Sequence, residues 1–255
     1  MNILIGYSNS KLQNSVVSSI EKEEILSRIE DKLTSHGLHV TKLKHEGTSI
    51  AEHLWVRDNF FTLDGFCFVC NMTNCDTLKH DRKLEVDNIL HFLEAKFDDI
   101  IHIPFPIEGG DVVVTKTDVF VGIGKRTSIE AFDFLRKRFS NYRFHKLEHQ
   151  DLHLDCCFSV IDNTIIFNRS KILVDDIANI ESIPNNLYEF IDIDKVDSST
   201  LNTNFIVHDN VIFHGEISNE MLILLQSRGY EVEQINDLNK LYTEGGGIRC
   251  LTQFF

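Results

Sequence analysis

Short apolar segments recur in pairs along the chain. Residues 56–62 and 66–71 flank the turn Leu63-Asp64-Gly65, and residues 112–115 and 119–123 flank Lys116-Thr117-Asp118. Residues 156–161 and 164–168 flank Asp162-Asn163, and residues 205–207 and 211–214 flank His208-Asp209-Asn210. Each pair sets β-branched or aromatic residues on either side of turn formers and predicts a β-hairpin. Apolar stripes at helical spacing lie between the pairs. They run through residues 23–36 (Ile25, Ile29, Leu33), 84–97 (Ile89, Leu90, Leu93, Phe97), 128–139 (Phe132, Leu135, Phe139) and 219–227 (Leu222, Leu225). A weaker stripe over 175–186 predicts a short helix.

Another short strand is predicted after most helices, at 40–43, 100–103, 143–147, 190–193 and 230–234. The unit strand–strand–helix–strand therefore recurs about four times. Residues 249–254, pairing with 2–6, would complete a fifth unit. Paired chain ends leave no open edge, so the expectation is a closed α/β ring of ββαβ pseudo-repeats around a central channel, in one domain spanning 1–255.

Composition narrows the function. The 255 residues are 42% hydrophobic and 25% charged, enough for a full core, and the formal net charge is −14. That charge disfavours nucleic acid and anionic membrane, and suits a cationic small molecule. The first six residues are too short for a signal peptide, and no apolar run reaches membrane-spanning length. Six cysteines, two of them the adjacent Cys156-Cys157 in an apolar stretch, read as thiols in a reducing, cytoplasmic setting.

Four polar clusters sit at the starts of these units: Trp55-Val56-Arg57-Asp58-Asn59, Glu108-Gly109-Gly110-Asp111, His153-Leu154-Asp155, and Glu244-Gly245-Gly246-Gly247-Ile248-Arg249-Cys250-Leu251-Thr252. In a closed ring, equivalent positions converge. A guanidinium is a planar cation that carboxylates match in bidentate fashion, and Asp58 and Glu108 are candidates to hold one. Its carbon is weakly electrophilic and needs a thiolate, for which Cys250 after three glycines is placed. His153 can protonate a departing amine and activate water. Asp155 falls on the same face as His153 if the segment is a strand, where it could hold the guanidinium or orient the histidine.

Together, W-x-R-D, I-E-G-G-D, H-x-D and G-G-G-x-R-C-x-T resemble the pentein superfamily of guanidino-modifying enzymes: arginine deiminases, dimethylarginine dimethylaminohydrolases, agmatine deiminases and amidinotransferases. The resemblance spans Arg57 to Thr252. It implies a five-bladed α/β propeller with Cys250 as nucleophile, His153 as general acid/base, and Asp58, Glu108 and Asp155 around the guanidinium. It also implies that Arg126, within Gly122-Ile123-Gly124-Lys125-Arg126-Thr127, binds a substrate α-carboxylate, and that Arg249 points to an amino-acid substrate. The subfamily stays open. The chain has no room for the inserted helical domain of bacterial arginine deiminases. Its length resembles the dimethylarginine hydrolases, but its last motif does not. Its W-x-R-D resembles the amidinotransferases, which generally lack the Glu-Gly-Gly-Asp form.

Blander readings stand beside these. Arg57 reads as an internal salt-bridge partner, Asp111 as a turn or supporting residue, and Cys156 and Cys157 as core thiols. Cys67-x-x-Cys70 with Cys75 offers too few paired ligands for a structural zinc site, and neither metal nor organic cofactor is expected. The other eleven histidines fit no catalytic pattern. The expected activity is hydrolysis of arginine or an N-methylated arginine to citrulline plus ammonia or an alkylamine. The alternatives are amidino transfer to an amine and, more remotely, a non-catalytic binding protein on the same fold. Oligomeric state is not readable.

Overall fold

The computed structural model describes residues 1–8, 17–44, 51–72, 81–184, 186–195 and 201–255. Within them the predicted unit repeats five times. Strand β1 (Asn2–Tyr7), helix α1 (Ser19–Ser35) and strand β2 (His39–Lys44) open the chain. The second unit is β3 (Phe60–Leu63), β4 (Phe66–Asn71), α2 (Lys83–Lys96) and β5 (Ile100–Pro106). The third is β6 (Val112–Val114), β7 (Asp118–Ile123), α3 (Ile129–Arg138) and β8 (Arg143–Glu148). The fourth is β9 (Phe158–Ile161), β10 (Thr164–Phe167), α4 (Val174–Glu181) and β11 (Glu189–Asp192). The fifth is β12 (Ile206–His208), β13 (Val211–His214), α5 (Asn219–Ser227) and β14 (Glu231–Gln234). A single helical turn, α6 (Ile248–Leu251), then leads into β15 (Thr252–Phe254).

Each unit forms a three-stranded sheet whose middle strand is antiparallel to the first and parallel to the third. The parallel step requires the helical crossover. The first sheet has the order β15-β1-β2, with Ile3 opposite Phe254 and Ile5 opposite Thr252. The expected pairing of the two chain ends is thus present, and the fold is a five-bladed α/β propeller.

Local chemistry agrees with this topology. Asp64, Asp162 and Asp209 take φ of 55°, 49° and 51° at three equivalent hairpin turns, a conformation short polar residues tolerate. Ser18 caps α1 by accepting from the Glu21 amide at 3.2 Å, while the Glu21 carboxylate takes the Ser18 amide at 3.0 Å. Such a capping box is worth about 1 kcal/mol. Ser128 and Ser218 cap α3 and α5 with the hydroxyl alone, accepting the Ala131 and Met221 amides. The helices bury one stripe each, for example Ile25, Leu26, Ile29 and Leu33 of α1, at roughly 1.5–3 kcal/mol per side chain. Cys67 and Cys70 lie within the apolar core of the second blade, while Cys75 falls outside the described residues. Among the described residues, no helix is long and apolar enough to cross a membrane.

Candidate active site

The first strand of each blade is preceded by a tight segment, and these segments carry the polar clusters. Short 3-10 turns occupy Val56–Asp58, Gly109–Asp111 and Leu154–Cys156, and α6 occupies the equivalent place before β15. The expectation of continuous strand over 56–62, 156–161 and 249–254 is corrected here. The first residues of each segment coil instead, closing bonds such as Cys157 N–H to Leu154 O at 3.0 Å and Asn59 N–H to Val56 O at 3.3 Å. The coil breaks strand alternation, so that neighbouring side chains such as Asp155 and Cys156 both reach the site. Turns from adjacent blades touch one another.

His153 stands at the junction. Its backbone is extended (φ −138°, ψ 162°) and its ring is buried. Nε2 lies 2.7 Å from Glu108 Oε2, and Nδ1 lies 3.6 Å from Asp58 Oδ1. Asp155 belongs to the following turn rather than to a shared strand face, so Glu108 and Asp58, not Asp155, orient the imidazole. Gly110 makes the approach possible: a Cβ there would sit 2.8 Å from His153 Cγ. Burial disfavours the imidazolium. The charge of Asp58, with the hydrogen bond and charge of Glu108, outweighs it and raises His153 to about 10. Burial also pushes Glu108 upward, yet its bond to His153 and the neighbouring cations hold it below the usual carboxylate range. Asp58 is pushed above that range, chiefly by burial.

Two arginines close on Glu108. Arg126 reaches Oε2 at 2.9 Å, and Arg82 bonds Oε1 while it also engages Glu85. Arg82 stands 3.6 Å from Asp58 and is buried. It was not foreseen from the sequence, where only the spacing Arg82-x-x-Glu85 hinted at an ion pair. Asp111 accepts the Leu154 amide at 2.8 Å, the Thr127 hydroxyl at 2.6 Å and a His149 bond at 3.1 Å, which makes it a brace between blades.

On the other side, Asp155 Oδ2 is approached by Arg57 Nε at 3.6 Å and Arg249 Nε at 3.5 Å. Arg57 also bonds Gln253 and the Val112 carbonyl, so it ties three blades together. Arg249 donates to Ser159 Oγ at 3.2 Å; burial and the nearby Arg57 charge lower it to about 10.

Cys250 is buried within α6. Asn204, in the segment before β12, donates from Nδ2 to Cys250 Sγ at 3.2 Å and accepts the Arg249 amide on Oδ1 at 3.0 Å. Its neighbour Thr203 bonds the Asp155 carbonyl at 3.2 Å. Asn204 thus supplies the fifth blade's member of the site, and no motif in the sequence marked it. At Gly246 a Cβ would sit 2.6 Å from the Trp55 ring and 2.9 Å from Cys250 Cβ, so only glycine lets the loop pack under the indole.

All seven candidate residues are therefore drawn together: Asp58, Glu108 and Arg126 beside His153, and Asp155, Arg249 and Cys250 beyond it. Asp58 Oδ1 and Asp155 Oδ2 are buried and make no hydrogen bond. Each faces a cation without closing a hydrogen bond: His153 Nδ1 stands 3.6 Å from Asp58 Oδ1, and Arg57 and Arg249 stand 3.6 and 3.5 Å from Asp155 Oδ2. Among the described residues, two sets stand close enough to hold a metal ion: Asp58, Glu108 and His153, and His153, Asp155 and Cys156.

Comparisons with known proteins agree with this geometry. Residues 49–205, more than half of the chain, match the arginine deiminase family. YkgA of Bacillus subtilis (strain 168), itself an uncharacterized protein, is 27% identical over 229 residues, 89% of this chain and 77% of that protein. The N-terminal domain of ArgZ, solved covalently bound to a reaction intermediate, aligns with a TM-score of 0.83 at 17% identity, over 99% of this chain and 96% of that one. ArgZ is an arginine dihydrolase from the ornithine-ammonia cycle in cyanobacteria. A cysteine-to-serine variant of DDAH from Pseudomonas aeruginosa, complexed with citrulline, aligns with a TM-score of 0.79 at 13% identity, over 100% of this chain and 98% of that one. Its fold and its sequence place this chain in the arginine deiminase family, within the pentein superfamily of guanidino-modifying enzymes.

Proposed function

We propose that the chain is a cysteine-dependent hydrolase of the guanidino group of arginine or an N-methylated arginine, releasing citrulline and ammonia or an alkylamine. The observation that carries the reading is the pair of buried carboxylates Asp58 and Asp155, each with an oxygen that no hydrogen bond closes, beside His153 and tied to Cys250 through Thr203 and Asn204. A guanidinium offers donors along its edges that meet both. Glu108 completes the anionic wall and holds the histidine.

In this reading Cys250 attacks the guanidinium carbon as the thiolate, its proton having gone to solvent, and forms a C–S bond while the C=N electron pair moves onto nitrogen. The terminal C–N bond breaks, and the departing nitrogen takes its proton from the His153 imidazolium, which Glu108 and Asp58 keep charged. The neutral imidazole then removes a proton from water. The oxygen adds to the same carbon, the C–S bond breaks, and Cys250 is regenerated. Arg126 is partly exposed and meets the substrate α-carboxylate. Arg249 is turned toward Asp155 and Ser159, and so fixes the far carboxylate and acts on the substrate through it. Neither metal nor organic cofactor has a step in this sequence.

The test is product identification by mass spectrometry. The protein is incubated with arginine, N-methylarginines or agmatine, with and without glycine or lysine, beside Cys250→Ser. Citrulline formed without an added amine, and absent from the variant, is the expected result. Ornithine formed only with an acceptor would instead establish amidino transfer, and normal turnover by Cys250→Ser would overturn the assignment.

A further inference from the structure

Thr127 and Asp111 have no step in the proposed reaction, yet both are buried among the residues that do. The Thr127 hydroxyl spans the two ends of the 3-10 turn that presents Glu108. It accepts the Glu108 amide at 3.1 Å and donates to Asp111 Oδ2 at 2.6 Å. The turn also closes on itself, through Asp111 N–H to Glu108 O at 3.0 Å. The other oxygen of Asp111 serves the next blade. Oδ1 accepts the amide of Leu154, the residue after His153, at 2.8 Å, and His149 Nε2 reaches the same oxygen at 3.1 Å. Gly122 leaves room for this arrangement: a Cβ there would lie 2.7 Å from His149 Nε2 and 2.8 Å from Leu154 Cβ.

The bonds form an unbroken path from the Glu108 amide through the Thr127 hydroxyl and the Asp111 carboxylate to the Leu154 amide. Its ends are the backbones that carry Glu108 and His153, whose side chains meet at 2.7 Å. Those two residues precede the first strands of different sheets, so the bonds within either blade do not fix them relative to each other. We infer that Thr127 and Asp111 are positioning residues, which set Glu108 against His153 across the junction of the third and fourth blades. This rests on the reading of His153 as the acid that serves the departing nitrogen.

The chemistry of the bridge explains the residue type. An amide must donate to it and a carboxylate must accept from it, so the bridging group has to do both. A hydroxyl does, whereas valine has nearly the same shape and does neither. The contact being set is sensitive to placement, because charge-assisted hydrogen bonds are short and directional. A misplacement of about 1 Å in a catalytic group costs about 10²-fold in rate.

The decisive measurement follows the His153 imidazole by NMR in protein labelled with 15N-histidine, its signal identified by its absence from His153→Gln. Wild type, Thr127→Val and Thr127→Ser are titrated. The charged and titratable groups around His153 are Glu108, Asp58 and Asp111, then Asp155 and Cys156, with Arg82 and Arg126 bound to Glu108. All of them remain in both variants, so a change reports placement. In Thr127→Val, His153 should release its proton about one pH unit lower or more. Thr127→Ser should titrate like wild type. With arginine as substrate, kcat of Thr127→Val should fall about 10²-fold with KM nearly unchanged. An unmoved imidazole in folded Thr127→Val, an equal loss in Thr127→Ser, or a rise in KM alone would overturn the inference. The last would mean that Thr127 serves only the loop of Arg126. If Thr127→Val fails to fold, Asp111→Asn takes its place. Its Nδ2 meets a donor where Asp111 accepts, and an unmoved imidazole there overturns the inference equally. The titration requires no turnover. A wild type that turns over no guanidino compound would therefore sink the proposed hydrolysis and leave the positioning to be decided by NMR.

Discussion

Glu108 Oε2 lies 2.7 Å from His153 Nε2 and 2.9 Å from Arg126 Nη1, so one buried oxygen holds two cations at once. Its negative charge is part of what keeps His153 protonated. Glu108→Gln removes that charge and keeps the shape. The imidazolium, which protonates the departing amine in the proposed reaction, should then be lost at lower pH. We expect the alkaline limb of kcat/KM to move toward neutrality and the maximum rate to fall by about 10²-fold. A pH–rate profile of the variant checks this, and an unmoved alkaline limb would remove Glu108 from the role.

The same charge arrangement has a signature in stability. His153 binds its proton more tightly in the folded chain (about 10) than its ordinary value of 6.5. Its contribution is therefore full below pH 6.5 and is lost as pH rises toward 10. Denaturant titrations of wild type and His153→Gln across this range should show the wild type losing stability relative to the variant. Parallel curves would mean that the histidine is neutral in the folded state.

Asn204→Ala tests the amide–sulfur contact. The Nδ2–H donor lies 3.2 Å from Cys250 Sγ, where it would hydrogen-bond the attacking thiolate of the proposed reaction. Removing a hydrogen bond to a charged group costs about 1.5–3 kcal/mol. Alkylation of Cys250 by iodoacetamide at neutral pH should slow roughly tenfold or more, by the same principle. An unchanged rate, with the fold intact by circular dichroism, would reduce Asn204 to a backbone brace.

Gly246→Ala places a methyl group 2.6 Å from the Trp55 ring. Overpacking of this kind costs about 1–3 kcal/mol. Because the clash also reaches Cys250 Cβ, activity should fall further than the melting temperature implies. Enzyme assays beside thermal melts separate the two effects.

Asp118 lies outside the site and serves the fold. Its buried carboxylate accepts from Arg143 at 2.6 and 2.8 Å, Thr117 at 2.6 Å, His145 at 2.7 Å and Tyr188 at 2.8 Å. These bonds hold it well below the usual carboxylate range despite burial. Asp118→Asn should destabilise the protein by about 3 kcal/mol, measured by denaturant titration, because several donors lose a charged partner.

The blades were legible because period-two and period-3.6 patterns alternate in a fixed order, and the chain closes on the short segment 252–254 that pairs with β1. The candidate residues were legible where glycine runs and mixed-charge clusters interrupt that pattern. Two features escaped. The 3-10 turns at Val56–Asp58 and Leu154–Cys156 read as strand, since apolar residues continue through them and only the bonds of the assembled ring make them coil. Arg82 and Asn204 are single polar residues in ordinary surroundings. Their significance lies in the distance to Glu108 and Cys250, residues remote in sequence.

The seam between β1 and β15 sets when this chemistry can exist. Ile3 lies opposite Phe254, so the blade that carries Cys250 joins residues from the two extremes of the sequence. Contacts of such long separation pay their closure entropy before any return and tend to form late. Until the seam shuts, Cys250 is an ordinary thiol on a loose segment, without Asn204, Asp155 or His153 beside it. On the proposed reading, activity would therefore serve as a checkpoint on assembly, and a sample's specific activity would count the molecules whose ring is shut.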